Sequence, residues 1–145
     1  MNLLYEDRQY LLQRWGFNCT CALCSSPTAR AASDGRLLRI QAILDELKVK
    51  ENRSHTMVGK LTVEVLNLLE AEGLWAQVGD FYTVLTQVHL EMNNVRVAKK
   101  YAEMTLESRI MYSGAESESM EKAERMVRQL TRAEKKKKGG VYYRK

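Results

Sequence analysis

Proline is nearly missing from this chain: Pro27 is the only one in 145 residues, and aromatic residues make up 8%. Val, Ile and Thr are scattered rather than clustered, while Leu, Ala, Glu, Lys and Met are plentiful. That mixture favours helices over sheets. No stretch approaches the roughly 18 apolar residues that a membrane span needs, so no membrane association is expected. A basic segment followed by a long apolar run, the mark of a secretory signal, is lacking at the N-terminus. Cysteine is confined to three positions within six residues, Cys19, Cys21 and Cys24, and there are two histidines. An odd, tightly clustered set argues against a disulfide framework. It suits thiolates kept reduced, which points to a nuclear or cytoplasmic location.

The length allows one domain that buries roughly two-thirds of its unfolded surface. The net charge is +5, and Lys135 to Lys138, Arg144 and Lys145 account for it. Such a block usually forms a solvated tail, with nuclear import or nucleic-acid contact as the alternatives. No aromatic lies within the Lys135–Lys138 run, so no base-stacking surface is expected and nucleic acid is not the expected partner.

Hydrophobic spacing predicts a helix over residues 3–14, with Leu4, Leu11 and Leu12 on one face and Gly16 at its end. Residues 17–32 lack helical periodicity and read as a structured loop. Ser33 or Asp34 can cap a second helix, whose stripe is Leu37, Ile40, Leu44 and Leu47. A third helix follows from Thr56, carrying Val58, Leu61, Val65, Leu68 and Leu69, and stops at Gly73. A fourth runs to about Met92 with Val78, Phe81, Leu85 and Val88 inward. After an Asn93–Asn94 turn, a fifth spans residues 95–112, with Val97, Tyr101, Met104 and Ile110 roughly inward, and closes at Ser113–Gly114. A sixth covers residues 116–132 on Met120, Ala123, Val127 and Leu130. The expected fold is therefore all-α. Antiparallel helical hairpins of tetratricopeptide (TPR) type, in which Gly79, Ala98 and Ala102 permit close approach, follow a short cysteine loop. The expected organisation is a cysteine segment over 1–33, a helical domain over 34–133, and a disordered basic tail over 134–145.

Cys19-x-Cys21-x-x-Cys24 supplies three soft thiolates, and Zn²⁺ takes four ligands in a tetrahedron. The x-x gap is the spacing of a zinc knuckle, in which backbone N–H groups point at sulfur. The set is incomplete, because no fourth cysteine exists, and His55 and His89 read as surface or core histidines. Cys21-Ala22-Leu23-Cys24 lacks the strand-then-helix context of a redox dithiol. No histidine lies nearby in sequence to activate a catalytic cysteine.

The run Arg8-Gln9-Tyr10-Leu11-Leu12-Gln13-Arg14-Trp15-Gly16-Phe17-Asn18-Cys19-Thr20-Cys21-Ala22-Leu23-Cys24 resembles the end of SET-domain proteins, most closely the SMYD-type branch and its fungal relatives. In that family a post-SET cysteine segment is followed by a helical, TPR-like C-terminal region. The resemblance implies protein-lysine methylation with S-adenosylmethionine, on a histone or other lysine-bearing protein. It also implies a structural zinc held by Cys19, Cys21 and Cys24 plus one cysteine of the SET core. By the same resemblance Phe17 packs near the cofactor's adenine. Trp15 stands where a Tyr commonly lines the lysine channel. The chain lacks the family's Gly-x-Gly loop, its Asn-His-x-Cys element and a tyrosine in catalytic context. The expectation is thus a C-terminal part of such an enzyme, inactive alone. The alternative is a helical protein- or peptide-binding adaptor with a structural zinc knuckle.

Overall fold

The computed structural model describes residues 3–51, 53–113 and 117–139. The described residues hold seven α-helices and no strand. They are α1 (Tyr5–Gln13), α2 (Ala22–Ser25), α3 (Pro27–Lys48), α4 (His55–Ala71), α5 (Val78–Glu91), α6 (Val95–Ser113) and α7 (Glu118–Gly139), with a 3₁₀ turn at Trp75–Gln77 before α5. The expected turn at Gly114 and the last residues of the tail lie outside the described residues. Contacts divide the chain into two compact units, one up to Gly73 and one from Leu74 onward.

In the first unit α3 and α4 are antiparallel neighbours, since Ser33 and Arg36 near the start of α3 both reach Glu72 at the end of α4. Leu37, Ile43 and Leu47 meet Val58, Leu61, Val65 and Leu69 in the core. Leu44 and Ile40 of the expected stripe are only half-buried. Outside that core, Arg39 grips Glu64 with two hydrogen bonds of 2.6 and 2.8 Å and reaches Glu46 at 2.8 Å.

The start of α3 differs from the sequence expectation. The helix begins at Pro27, not near residue 34, because Ser26 accepts a hydrogen bond from the Ala29 amide at 3.3 Å and Pro27 sits at the first helical position. Proline fits there because its missing N–H would have no partner anyway. Ser33 and Asp34 are released from capping α3. Ser33 is buried and donates to Glu72 at 2.7 Å, while Asp34 accepts from the Tyr5 amide at 3.0 Å and so caps α1. Arg30 stacks over the Tyr5 ring at 4.1 Å, a second tie between α1 and α3.

In the second unit α6 lies between α5 and α7. Asp80 of α5 pairs with Arg109 near the end of α6, and Lys99 near the start of α6 reaches Glu134 near the end of α7 at 3.7 Å, so successive helices run antiparallel. Phe81, Leu85 and Val88 are buried as expected, and His89 is buried and stacks on Tyr101 at 5.4 Å. The inward face of α6 is built from Ala98, Ala102 and Thr105, all at most 2% exposed. Ile110, expected inward, is 56% exposed. The helix thus turns small residues, not large ones, toward its neighbours. Lys135 and Lys136, expected in a disordered tail, lie in α7, which continues to Gly139.

Turns are fixed by left-handed residues. Asn93 adopts φ 57°, and the Asn94 amide closes back onto the His89 carbonyl at 2.8 Å. Gly73 ends α4 in the same way, at φ 67°. These are the C-terminal closures that asparagine and glycine allow.

Glycines test the packing directly. A Cβ on Gly79 would meet Ser108 Oγ at 2.7 Å and Ser108 Cβ at 3.0 Å, whereas one on Gly59 would meet nothing within 4 Å. Alanine gains about 1 kcal/mol of helix propensity over glycine. Gly59→Ala should therefore stabilise the fold by about 0.5–1 kcal/mol, while Gly79→Ala should destabilise it by about 1–3 kcal/mol through overpacking. Urea unfolding of the two variants measures both.

The Arg39 guanidinium holds the Glu64 carboxyl below its ordinary range. A carboxyl with a lowered folded pKa contributes stability that is present above its unfolded pKa and lost as pH falls through the folded value. Glu64→Gln should flatten the acid limb of the stability–pH curve below about pH 4.5, read by thermal unfolding at stepped pH.

Candidate metal centre

The cysteine loop is placed by the end of α1. Gly16 adopts φ 69°, which turns the chain back so that the Phe17 amide donates to the Leu12 carbonyl at 3.2 Å. This is a Schellman-type closure, and it needs a residue tolerant of positive φ. From there residues 17–20 carry no regular element, and Cys21, itself extended, precedes the one-turn helix α2. The Ser25 amide donates to the Cys21 carbonyl at 2.9 Å and the Ser25 hydroxyl to the Thr20 carbonyl at 2.9 Å, so the loop is closed on itself.

One side chain of α1 holds this loop. Gln9 Oε1 accepts from the Cys19 amide and Gln9 Nε2 donates to the Cys19 carbonyl, both at 3.1 Å. A primary amide has one acceptor and one donor side by side, so it can pair with both backbone groups of one residue. Gln9 does not stand out in the sequence, since a glutamine on a short helix looks like a surface residue. The available signal was its position ten residues before Cys19 on the helix that leads into the loop.

The three sulfur atoms converge. Cys19, Cys21 and Cys24 offer Sγ atoms that all lie within 4.8 Å of one another. A tetrahedral zinc with Zn–S of about 2.3 Å needs sulfurs about 3.8 Å apart, so the three fit one ion with a small contraction. Their environments differ. Cys24 is buried, and burial pushes its thiol up. Cys21 is exposed and its thiol is lowered to about 7, chiefly by the Cys24 backbone N–H and then by hydrogen bonds from the Cys19 and Cys24 side chains. A backbone N–H aimed at sulfur is the knuckle geometry that the x-x gap implies. It favours the thiolate, which is the form that binds metal.

The three thiols are therefore a site that could hold a metal ion, with a donor set compatible with zinc. Among the described residues no fourth histidine, cysteine, aspartate or glutamate joins the cluster. His55 begins α4, and His89 is buried in the aromatic stack of α5. An open cleft of about 500 Å³ adjoins the loop, lined by Tyr5, Glu6, Gln9 and Asn18 together with Cys19 and Cys24.

Trp15 and Phe17 flank the loop and are 87% and 52% exposed. Tyr10, on α1, is 68% exposed. The helix before the cysteines buries no residue, with Leu11 exposed and Leu4 and Leu12 half-buried.

Serine at Cys19, Cys21 or Cys24 should remove zinc from the purified protein, measured by elemental analysis. Gln9→Ala keeps all three thiols but frees the loop. It should weaken zinc affinity by about ten- to a hundredfold, the usual effect of losing a group that orients a metal ligand. Competition with a colorimetric chelator reads this.

The chain matches no known family profile, no curated protein and no solved structure.

Proposed function

We propose that this chain is the C-terminal, zinc-stapled part of a SET-domain protein-lysine methyltransferase, and that it has no methyl-transfer activity alone. The observation that carries the reading is the convergence of three thiols within 4.8 Å, in a loop that follows helix α1 and the turn Trp15-Gly16-Phe17. Three converging thiolates supply most of a zinc coordination sphere and leave one position to be filled from outside the cluster. A catalytic core supplying the fourth thiolate would meet the chain at this loop. The exposed Trp15 and Phe17 are the side chains available to pack against it, with Phe17 toward the adenine of S-adenosylmethionine and Trp15 toward the target lysine. Zinc at such a site supplies structural cross-linking, not chemistry on the substrate. Transfer of a methyl group depends on holding donor and amine in line, and the residues required for that are those of the core.

The helices beyond α2 support the second half of the reading. Antiparallel helices of 14 and 19 residues joined by a three-residue turn, with Gly79, Ala98 and Ala102 at the contact, have the dimensions of a TPR-like hairpin. A histone or another lysine-bearing protein is the proposed partner, in the nucleus or cytoplasm. A second reading, a helical adaptor in which zinc only fastens the N-terminal segment, is favoured by the exposed Ile110, Met111 and Tyr112 at the end of α6, which offer apolar surface to a peptide.

Mapping the 5′ end of the transcript tests the methyltransferase reading. An in-frame SET core upstream of Met1 is the expected result. A stop codon closing the frame immediately upstream would overturn it and leave the adaptor. In the companion assay, the chain alone should transfer no label from S-adenosylmethionine to mixed histones, and transfer would contradict the claim of inactivity.

A further inference from the structure

The charges of the second unit are unevenly placed. In the first half of α7, Glu118, Glu121 and Glu124 balance Lys122, Arg125 and Arg128, with Lys122 paired to Glu118 at 2.6 Å and Arg128 to Glu124 at 3.3 Å. Farther along, Arg132, Lys135 and Lys136 are all exposed, and the only acid among them, Glu134, is turned toward Lys99 of α6. That ion pair brings the last turns of α7 beside the first turns of α6, where Arg96 and Lys100 are also exposed. Lys99 uses both Glu103 and Glu134. Glu91, at the end of α5, is held by Gln87 at 3.0 Å. One end of the unit thus gathers Arg96, Lys99, Lys100, Arg132, Lys135 and Lys136 against Glu91, Glu103 and Glu134, and the same helix continues into Lys137 and Lys138.

This arrangement is costly for folding. The first turns of α6 carry cations and its first turn no acid, although the positive end of a helix dipole disfavours cations. A second set of cations from α7 then lies beside them. Local rules broken without a structural gain point to a function.

We propose that this end of the α5–α7 unit binds the phosphate backbone of a DNA duplex. Arg132 to Lys136 spans about 6 Å of helix at about 1.5 Å per residue and lies beside Arg96 and Lys100 of α6, so together they offer five cations to neighbouring backbone phosphates. A helix backed by its own bundle fits the B-form major groove, about 12 Å wide, and not the narrow A-form groove of RNA. The apolar side of α7 is occupied. Leu130, Met126 and Val127 pack with Ala98 and Ala102, so the helix has no free apolar face to insert into a lipid surface. Tyr101, the aromatic next to Lys100, is already engaged with His89 and Tyr82, which disfavours single strands, where base stacking matters. The inference is independent of the cysteine site and of the methyltransferase reading.

Fluorescence anisotropy of the full chain with a labelled 20-base-pair DNA duplex tests it. Raising salt from 50 to 200 mM should weaken binding by about 150- to 500-fold, as expected for four or five phosphate contacts. Arg132→Gln/Lys135→Gln/Lys136→Gln, all at exposed positions, should weaken binding at least about tenfold and lower the salt slope by about three. Lys122→Gln/Arg128→Gln, at the balanced half of α7, should change it by less than about twofold. Circular dichroism of both variants checks that they stay folded. The proposal is overturned if the triple variant binds as the parent does, if an RNA duplex is preferred, or if phosphatidylserine vesicles bind where the duplex does not.

Discussion

Three thiolates cannot sit within 4.8 Å of one another without a cation among them. Like charges at that distance repel, and in a site partly out of water the repulsion grows as the dielectric falls. The loop can answer in two ways: protonate its thiols, or bind metal. It is prepared for the second. The Cys24 N–H stabilises the Cys21 thiolate, and Gln9 fixes the Cys19 backbone from both sides. Cys24 is buried, so its thiol has most to gain from a metal that replaces its proton. The left-handed turn at Gly16, the Gln9 clamp and the Ser25 closure all serve to bring three sulfurs to one point.

Within each of the two units the helices pack by a different rule. Small residues set the spacing in the second unit, where Gly79 meets Ser108 and Ala98 and Ala102 are fully buried. Large apolar residues fill the first unit, where Leu47, Val58 and Val65 are at most 1% exposed. Charged side chains then tie helices at their ends, through Glu72 in one unit and Glu134 in the other. These ties fix which helix ends lie side by side, and in the second unit that juxtaposition collects the exposed cations.

Much of this was legible in the sequence, for identifiable reasons. Helix periodicity located the faces of α4 and α5 because each buries an unbroken stripe. On α6 the small residues Ala98 and Ala102 mark the close approach, as their size implies, but Ile110 is a stronger hydrophobic signal that faces solvent, and the polar Thr105 gives no sign that it is buried. The sequence puts the cap of α3 seven or eight residues late, since Ser33 and Asp34 look like caps whereas Ser26 is the cap. Their side chains are used on other helices, and the Ser26–Pro27 start is the true signal. The cysteine spacing announced the convergence of three thiols directly. Gln9 could not be read, because its role depends on the Gly16 turn bringing Cys19 back beside α1. The basic run was read as a tail because its composition alone cannot distinguish a solvated segment from the end of an amphipathic helix.

The central claim is that Cys19, Cys21 and Cys24 hold one zinc ion together. X-ray absorption at the zinc edge on the purified chain tests this most directly. The account predicts one zinc per chain with three sulfurs at about 2.3 Å and a fourth ligand from outside the cluster. A first shell of nitrogen and oxygen alone, or a folded chain that purifies without zinc and does not take it up, would contradict it.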